Sequence, residues 1–371
     1  MQLAPITKVY IGYLSLPLKQ PFITALRKVE TAKDIVIRLE DHDGNLGFGS
    51  ATEVLAVTGE SLESIKRSVI HGILPRVIKR QEVSLLSLED LNELLSELEN
   101  IGSSANAMFE IAFYDLLSRQ SGKSLTGAYS NSCLELDSCF TISLDKKEKM
   151  LNQARYAVSE GFSDLKIKLG SGNIDQDIDS LTSLIKALPQ NTRFRVDANQ
   201  AWNLTDSFKF LDSFSEDSID KLELVEQPVH KSAIQDLSTL SIKSPVPIFA
   251  DESVFNFDEL VRLHQDFNVS GFVIKLLKTG GLFQAFRMRD YTEKHNLNVM
   301  VSSMLETKLG VYTSAIFASS FRKKIFADLD ASFLQQGEAF EGGFTQLGPK
   351  ITLSKAPIDI TKDLIDLEKV Y

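Results

Sequence analysis

The sequence predicts an α/β protein: an eight-stranded β/α barrel, a modified TIM barrel, with an amino-terminal α+β capping domain that the carboxyl-terminal tail completes. Three observations predict this fold. The 371 residues are more than one hydrophobic core usually supports. Strand patterns precede helix patterns in the first third of the chain, and short strands then alternate with helices. We expect the cap over residues 1–131, the barrel over 132–345, and a tail over 346–371 that packs back on the cap.

The cap begins with three strand patterns and continues with helix patterns. The strand patterns cover residues 9–15, 34–39 and 46–48, with a turn at 43–45. They favour a small antiparallel sheet. Helical periodicity follows over residues 61–119, with Ser61 as a candidate N-cap and the clearest apolar stripe at 105–117.

The barrel prediction depends on eight short strands whose ends recur at intervals of 24 to 29 residues. These ends are Phe140, Lys168, Asp197, Glu226, Asp251, Lys275, Ser302 and Asp328. Each interval leaves room for the helix that a parallel strand needs before the next one. Eight such units are the number that closes a barrel, and barrels carry their active sites at the carboxyl ends of the strands.

Composition argues against several classes of partner. The net charge is −10, from 40 basic and 50 acidic residues, so nucleic acid is not an expected partner. No segment approaches the roughly 18 apolar residues of a membrane span, and no secretory pattern opens the chain. We therefore expect a cytoplasmic protein without a membrane partner. Cys133 and Cys139 lack the neighbouring ligands of a zinc site and are expected to be reduced structural thiols.

Three carboxylates end three successive predicted strands: Asp197, Glu226 and Asp251. Converging acids repel one another unless a cation neutralises them. A hard divalent ion with a preference for oxygen, Mg²⁺, fits that role and leaves positions open for a substrate. Asn199 and Glu252, close after two of these acids, are expected to support the ligands from behind. The alternative is that each acid caps the helix that follows it.

Lysines flank this group of acids. Lys166 and Lys168 are two residues apart on a strand, so both point to one face, and Lys275 ends the sixth strand. Burial and neighbouring positive charge lower the pKa of a lysine, and its neutral amine is then a base near pH 7. The alternative is a set of solvated lysines on an edge strand.

Because the second and sixth strands lie nearly opposite in a barrel of eight, the lysines would bracket a substrate bound to the metal. A base on each side of an α-carbon suits racemisation or epimerisation. Proton removal beside a carboxylate produces an enediolate, whose charge the metal would stabilise.

At these residues the chain resembles the enolase superfamily, in its muconate lactonizing subgroup. The resemblance covers essentially the whole chain, and Lys278-Thr-Gly-Gly281 adds to it. Other motifs are similar to those of L-Ala-D/L-Glu epimerases, a family of dipeptide epimerases. They are Thr24-Ala-Leu-Arg27 with Thr31-Ala32, Glu226-Gln-Pro-Val-His-Lys231, Met304-Leu-Glu-Thr-Lys-Leu-Gly310, and the pair Asp328 and Asp330.

The resemblance implies Mg²⁺-dependent epimerisation of a small dipeptide, of the L-Ala-L-Glu to L-Ala-D-Glu type, with one Mg²⁺ per active site. It implies that Lys168 and Lys275 exchange the α-proton of the carboxyl-terminal residue, with Lys168 on the L side. Lys166 would assist in catalysis and in substrate binding. A homo-oligomer and a role in murein peptide metabolism are also implied.

Substrate contacts are implied as well. Asp328 and Asp330 point the same way and can hold a protonated α-amino group, whereas an N-acyl substrate offers no such cation. The alternative is that both acids cap the last helix or pair with Arg322 or Lys323. Arg27 would bind a side-chain carboxylate from a loop at about residues 19–32, which we expect to set specificity and to close over the ligand. Further substrate-binding positions are Thr141, Ser303 and Glu306, the last facing the barrel mouth.

The chain departs from the epimerase pattern at Ser332, where a proline is expected, at Ser302-Ser303, and at Lys28 and Glu30. These differences leave the exact dipeptide open. An o-succinylbenzoate synthase or N-acylamino acid racemase would share the metal and the lysines. A Schiff-base aldolase and a non-catalytic metal-binding barrel are the more distant alternatives.

Overall fold

The computed structural model describes residues 4–82, 86–98, 101–130, 134–361 and 365–371. Its largest sheet has eight parallel strands in chain order, flanked by helices, and an antiparallel sheet precedes it. The predicted fold class is confirmed. The barrel is nearly closed, because the N–H of Cys139, beside the first barrel strand, donates to the carbonyl of Ala327 in the last (3.1 Å). The predicted domain boundaries stay predictions.

The cap contains an antiparallel sheet in which the second strand lies between the first and the third. Its strands are β1 (Ile6–Ile23), β2 (Lys28–Asp41) and β3 (Leu46–Thr52). The turn between β2 and β3 is closed by Asp41, whose Oδ1 accepts the N–H groups of Asp43 (2.9 Å) and Asn45 (2.8 Å). The three predicted strands are present, and each is longer than predicted.

β1 and β2 form a hairpin whose tip reaches the barrel. Pro17 pairs with Thr31 and Ile23 with Lys28, so residues 19–32, which the sequence predicted as a loop, are the end of this hairpin. Cross-strand pairing between residues with high strand propensity explains the difference. The tip is attached to the barrel, because the N–H of Leu144 donates to the carbonyl of Ile23 (2.9 Å).

The helices of the cap follow its sheet. They are α1 (Leu62–Arg67), a π-helical turn (Ser68–Ile73), α2 (Leu74–Gln81), α3 (Leu88–Ser96), α4 (Ser103–Gln120) and α5 (Leu125–Tyr129). Ser61 caps α1 as predicted, with its side chain accepting the N–H of Ser64 (3.1 Å). α4 packs closely on β3, where a Cβ at Gly49 would lie 2.0 Å from the carbonyl oxygen of Met108. Glycine therefore sets the distance between this helix and the sheet.

A short strand, β4 (Glu135–Asp137), leads into the barrel. The barrel strands are β5 (Phe140–Ile142), β6 (Asp164–Lys168), β7 (Arg193–Asp197), β8 (Leu222–Glu226), β9 (Ile248–Ala250), β10 (Gly271–Ile274), β11 (Asn298–Ser302) and β12 (Phe326–Asp328). The predicted ends agree within one residue except at Phe140, which begins its strand. The β-branched Thr141 and Ile142 continue that strand.

Helices cover the outside of the barrel. They are α6 (Lys147–Ser159), α7 (Ile174–Ala187), α8 (Leu204–Asp212), α9 (Glu216–Ile219), α10 (Ile234–Lys243), α11 (Phe257–Phe267), α12 (Leu276–Thr279), α13 (Leu282–Lys294) and α14 (Lys308–Ser319). In the described barrel a helix follows every strand except β12. Residues 329–361 form turns and short strands instead, so the eighth unit lacks its helix.

The interior of the barrel has an apolar layer below a polar one. The apolar layer consists of Leu224, Phe249, Val273 and Met300, with Phe326 packed against them. Two residues further along the same strands stand Glu226, Asp251, Lys275, Ser302 and Asp328. Because side chains alternate along a strand, these polar residues point into the same interior. The fold thus builds a charged rim directly above an apolar floor.

The carboxyl-terminal segment adds five short strands. They are β13 (Phe340–Glu341), β14 (Phe344–Leu347), β15 (Lys350–Leu353), β16 (Asp359–Ile360) and β17 (Glu368–Lys369). β15 pairs with β4, and β17 joins the cap sheet by pairing with β1. Among the described helices, none has both the length and the hydrophobicity needed to cross a bilayer.

Candidate active site

A cavity opens at the carboxyl ends of the barrel strands, under the tip of the β1–β2 hairpin. The hairpin contributes Phe22, Thr24, Leu26 and Arg27 to its wall. The predicted site residues that line the cavity are Arg27, Thr141, Lys166, Lys168, Asn199, Asp251, Glu252, Lys275, Ser303, Asp328 and Asp330. Asp197 and Glu226 are fully buried and contact these lysines from behind. The fold therefore brings together side chains from all around the barrel rim.

Lys166 is at the centre of a buried ion network. Its Nζ lies 3.1 Å from Asp197 Oδ2, 2.6 Å from Glu226 Oε2 and 2.8 Å from Asp328 Oδ2. The residue is 1% exposed, so its charge is stable only because these carboxylates surround it.

Lys168 and Lys275 approach the cavity from opposite walls. Lys168 Nζ lies 2.6 Å from Asp197 Oδ2, and Lys275 Nζ lies 2.7 Å from Asp251 Oδ2. Lys168 stands on β6 and Lys275 directly follows β10, four places away in the eight-stranded sheet. Both residues are buried, which rules out the alternative of solvated lysines on an edge strand.

Asp328 and Asp330 lie side by side at the end of β12. Asp328 Oδ2 accepts a hydrogen bond from the hydroxyl of Ser302 (2.8 Å), and Asp330 Oδ2 accepts the N–H of Thr141 (2.6 Å). No helix follows them in residues 329–361, so neither caps one. The other alternative is wrong too, because Arg322 pairs with Glu293 (3.1 Å) and Lys323 donates to the carbonyl of Leu297.

The alternative that the three acids cap helices is also wrong. The helices after β7 and β9 have their own caps, Asn203 and Asn256, whose side chains accept the N–H groups of Asp206 (2.8 Å) and Glu259 (2.9 Å). The helix after β8, α10, has Ala233 at its N-cap position and no side-chain cap, so Glu226 does not cap it. The acids instead contact the lysines of the site.

Two family models match the amino-acid sequence. Residues 6–127 match the mandelate racemase / muconate lactonizing enzyme, N-terminal domain, and residues 149–357 match the enolase C-terminal domain-like family. The chain belongs to the enolase superfamily. The resemblance that the sequence indicated is therefore confirmed.

Individual relatives of this enolase-superfamily chain cover nearly its whole length. The L-Ala-D/L-Glu epimerase of Bacillus subtilis is 33% identical over 355 residues, which are 95% of each chain. The L-Ala-D/L-Glu epimerase of Clostridium acetobutylicum is 34% identical over 358 residues, 95% of this chain and 97% of the relative.

Solved structures of relatives have the same fold. A substrate-liganded complex of the Bacillus subtilis enzyme matches with a TM-score of 0.89 at 32% identity, covering 96% of this chain and 98% of the other. The dipeptide epimerase of Enterococcus faecalis V583, complexed with Mg and the dipeptide L-Leu-L-Tyr, matches with a TM-score of 0.86 at 27% identity and the same coverage.

Burial and charge set the pKa values of the acids in this enolase-superfamily site. Burial opposes ionisation of Asp197, but the attraction of Lys168 and Lys166 outweighs it and leaves its pKa below the ordinary value. Burial and the charge of Asp197 raise the pKa of Glu226 well above its ordinary value. The acids therefore compete for the available positive charge, as expected when carboxylates converge.

The lysines differ from the sequence prediction in one respect. Burial tends to lower the pKa of Lys275, as predicted, but the attraction of Asp251 and Glu226 outweighs it and raises the pKa above its ordinary value. The predicted lowering is wrong for Lys275, because this lysine serves as a counter-charge of Asp251 and Glu226.

Asn199 and Glu252 connect the site acids, with Asn199 Nδ2 donating to Glu252 Oε1 (3.3 Å). Burial and the charge of Asp251 raise the pKa of Glu252 to about 7. Three buried oxygens, Glu226 Oε1, Glu252 Oε2 and Asn199 Oδ1, have no hydrogen-bond partner in the described ranges. Buried oxygens without partners are costly unless a cation or a donor satisfies them.

The predicted metal ligands are not arranged as a finished coordination site. Within the residues the structure describes, no three His, Cys, Asp or Glu side chains surround a common point as metal ligands. Lysine ammonium groups contact the acids instead. The donor set still fits a hard cation, because all its atoms are carboxylate oxygens and Glu226 Oε1 is unsatisfied.

Sequence reasoning gave no role to Lys278, which also contacts the site. Its Nζ lies 2.6 Å from Asp251 Oδ1 and donates to the carbonyl oxygens of Asp251 (2.6 Å) and Val273 (3.1 Å). Its place at the start of the Lys278-Thr-Gly-Gly281 motif was the available signal. Met304 and Leu305, apolar residues of the cavity wall, begin another motif of the resemblance, but the sequence gave neither of them a role.

Arg27, Ser303 and Glu306 were predicted to contact the substrate, and the structure places them differently from one another. Arg27 lines the cavity and donates to the carbonyl of Glu53 (3.4 Å), and burial lowers its pKa. Ser303 is half-buried at the cavity wall. Glu306 is buried, and its Oε1 accepts the N–H of Met304 (2.8 Å). Its predicted contact with the substrate stays a prediction.

Cys139 is a buried free thiol, and Cys133 lies outside the described residues.

Proposed function

We propose that the chain is a Mg²⁺-dependent dipeptide epimerase that moves a proton at the α-carbon of the carboxyl-terminal residue. The observation that carries this proposal is the pair of lysines, Lys168 and Lys275, on opposite walls of one cavity. In the proposed reaction, the Nζ of one lysine takes the α-proton from one face. The ammonium of the other lysine returns a proton to the opposite face.

The general reaction class follows from the relatives. The Bacillus subtilis and Clostridium acetobutylicum relatives are named as epimerases, and epimerases are isomerases, so the prediction of an isomerase is confirmed.

We assign metal binding to Asp197, Glu226 and Asp251. When bound there, Mg²⁺ would stabilise the negative charge that develops on the substrate carboxylate as the α-proton leaves. The unsatisfied Oε1 of Glu226 and the all-carboxylate donor set support this assignment.

Two of these acids, Asp251 and Glu226, influence the protonation of Lys275. The pKa of Lys275 is held up by Asp251 and Glu226 after burial has lowered it, so neutralising these acids favours the free amine. Lys275 would then act as a base only when a cation is bound to these acids.

The substrate assignment rests on charge. Asp328 and Asp330 border the cavity and would bind the α-amino group of a dipeptide. Thr141, whose N–H donates to Asp330 Oδ2, would position that acid, and Lys166, a cation, would contact a carboxylate of the substrate. Arg27 would hold a side-chain carboxylate such as that of glutamate. Ser303, at the same wall, would contact the ligand. These roles favour a substrate of the L-Ala-L-Glu type.

Proton exchange tests the proposal directly. The protein is incubated with Mg²⁺ and a panel of dipeptides in deuterated water, and loss of the α-proton signal is followed by NMR. We expect label at the carboxyl-terminal α-carbon and formation of the second epimer. Lys168→Ala and Lys275→Ala should each abolish epimerisation. No label with any dipeptide of the panel would contradict the proposal.

Two further readouts separate the alternatives. Exchange restricted to N-acylamino acids would indicate the racemase alternative. Covalent trapping by borohydride in the presence of substrate would indicate a Schiff-base enzyme. The homo-oligomeric state and the cytoplasmic location stay predictions.

A further inference from the structure

Glu110 is a cap residue whose carboxylate is buried against the barrel. It lies in the middle of α4 and is 2% exposed. Its Oε2 accepts the N–H of Leu282 (2.5 Å), and its Oε1 accepts the N–H of Phe283 (3.3 Å). Leu282 is the first residue of α13, whose own N-cap position is a glycine without a side chain. A cap carboxylate thus satisfies the free N–H groups at the start of a barrel helix.

Two glycines allow the barrel backbone to come this close. Gly280 and Gly281 have φ angles of 81° and 129°, a region that L side chains rarely adopt. A Cβ on Gly281 would lie 1.7 Å from Glu110 Oε2, so a side chain there would displace the carboxylate. The contact with Glu110 therefore explains Gly281, whereas Gly280 is explained by its left-handed backbone.

The same turn carries two lysines of the site, Lys275 and Lys278. The four residues of α12 separate Lys275 from Gly280, and all four are buried. The carbonyl of Lys275 accepts the N–H groups of Lys278 (3.0 Å) and Thr279 (3.1 Å). The N–H of Gly281 donates back to the carbonyl of Leu276 (3.1 Å). The start of α13 and the backbone of Lys275 are thus parts of one hydrogen-bonded turn.

We propose that Glu110 is a positioning residue for Lys275. Its carboxylate fixes the turn between α12 and α13, and the turn holds the Lys275 amine at the cavity. The cap then takes part in the reaction through a contact outside the cavity as well as through its hairpin. This inference rests on the proposed exchange by two lysines. Lys168 stands on β6, on the opposite wall, and is not part of this turn.

The expected signature is a loss that affects one epimer. α-Proton exchange is measured by NMR in deuterated water, starting separately from L-Ala-L-Glu and L-Ala-D-Glu, at times before inversion. Lys275→Ala identifies the epimer whose proton Lys275 removes. Glu110→Gln keeps the shape of the side chain but directs an NH₂ group at a helix N–H. We expect exchange of that epimer to slow on the order of tenfold, the size of a small misplacement of a reacting group, and the other epimer to exchange at nearly the unsubstituted rate.

Glu60→Gln is the matched control. Glu60 is also a buried acid that caps a helix, because it accepts the N–H groups of Ser104 (2.8 Å) and Ala105 (3.1 Å), but that helix is α4 of the cap itself. A one-sided loss is not expected there. Gly281→Ala, which pushes the Glu110 carboxylate away, should reproduce the one-sided loss and serves if Glu110→Gln does not fold.

The outcomes are distinguishable. Equal slowing of both epimers in Glu110→Gln and Gly281→Ala, or no slowing, would overturn the positioning role. No exchange of either epimer by the unsubstituted protein would overturn the proposed function instead.

Discussion

The Nζ of Lys278 lies 2.6 Å from both the carbonyl oxygen and the Oδ1 of Asp251. One buried ammonium therefore holds the backbone and the side chain of a predicted metal ligand at the same time. Burial raises the pKa of Asp251, but the attraction of Lys275 and Lys278 outweighs it and leaves the pKa below its ordinary value. Lys278 fixes Asp251 in place as well as balancing its charge.

Replacing Lys278 should therefore cost much stability. Lys278→Met leaves the buried Asp251 without one of its two counter-charges, and removal of one partner of a buried pair costs on the order of 3–5 kcal/mol in the free energy of unfolding. Urea unfolding measures this. Lys147→Met is the control, because Lys147 pairs with Asp179 (2.8 Å) at the surface, where solvent screens the pair, and should change the free energy of unfolding little. Similar losses in the two variants would contradict the role of Lys278.

The sequence could predict that these acids and lysines meet in the barrel interior, because barrel geometry relates their positions simply. Strand ends recur at one interval, and the alternation of side chains sends Asp197, Glu226 and Lys168 into the same interior. Contacts between distant segments could not be predicted in this way. Glu110 and Leu282 are separated by 172 residues, and only the packing of α4 on the barrel brings them together. The hydrogen bond from the N–H of Met304 to Glu306 likewise could not be predicted, because it depends on the local backbone and not on the spacing of residues along a strand.

Mg²⁺ should stabilise the folded protein through the three predicted ligands. A ligand at 100 times its Kd adds about 2.7 kcal/mol to the free energy of unfolding. We expect the thermal midpoint to rise when EDTA is replaced by Mg²⁺, and Glu226→Gln to remove most of that rise. Glu223→Gln is the control. Glu223 lies on the same strand but pairs with Arg195 (2.8 Å), so this variant should show the same rise in midpoint as the unsubstituted protein. An unsubstituted protein with the same midpoint in EDTA and Mg²⁺ would refute the metal assignment.

Asp330→Asn should distinguish a dipeptide from an N-acyl substrate. Burial and the charge of Asp328 raise the pKa of Asp330 to about 7, and a bound ammonium group would favour its ionised form. The variant keeps an oxygen that can accept the N–H of Thr141 but cannot carry that charge. Loss of such a charge-assisted hydrogen bond is worth about 1.5–3 kcal/mol, so kcat/KM for L-Ala-L-Glu should fall roughly 10- to 100-fold. Rates with an N-acetylated dipeptide give the comparison. If Asp330→Asn leaves the free dipeptide unaffected, the pair Asp328 and Asp330 does not bind an amino group.

Arg27→Met should change the preference for the carboxyl-terminal side chain. If Arg27 binds the glutamate side chain, kcat/KM for L-Ala-L-Glu should fall roughly 10- to 100-fold. The rate with L-Ala-L-Leu should stay level or rise, since no carboxylate is bound there. Lys28→Met removes the next positive charge of the hairpin, which pairs with Glu30 (2.6 Å), and should change neither substrate's rate much. A parallel loss for both dipeptides would mean that Arg27 supports the hairpin rather than specificity.

The contact between Asp34 of β2 and Thr307 at the start of α14 should make cap docking depend on pH. Asp34 Oδ2 accepts both the N–H (2.9 Å) and the hydroxyl (2.6 Å) of Thr307. Burial raises the pKa of Asp34 from 3.8 to about 6, although the hydrogen bonds from Thr307 oppose the rise. The folded protein therefore holds this proton at pH values where the unfolded chain has released it.

The sign of the effect follows from that difference. Between about pH 4 and pH 6 the folded state binds more protons at Asp34 than the unfolded state, so the contribution of Asp34 to stability falls as the pH rises and levels off above about pH 6. Asp34→Asn cannot titrate and still offers Thr307 an acceptor oxygen. We expect the stability of this variant relative to the unsubstituted protein to increase from about pH 4 to about pH 6, as measured by urea midpoints across a pH series. A constant difference over that range would show that Asp34 titrates in the folded protein as it does in the unfolded chain.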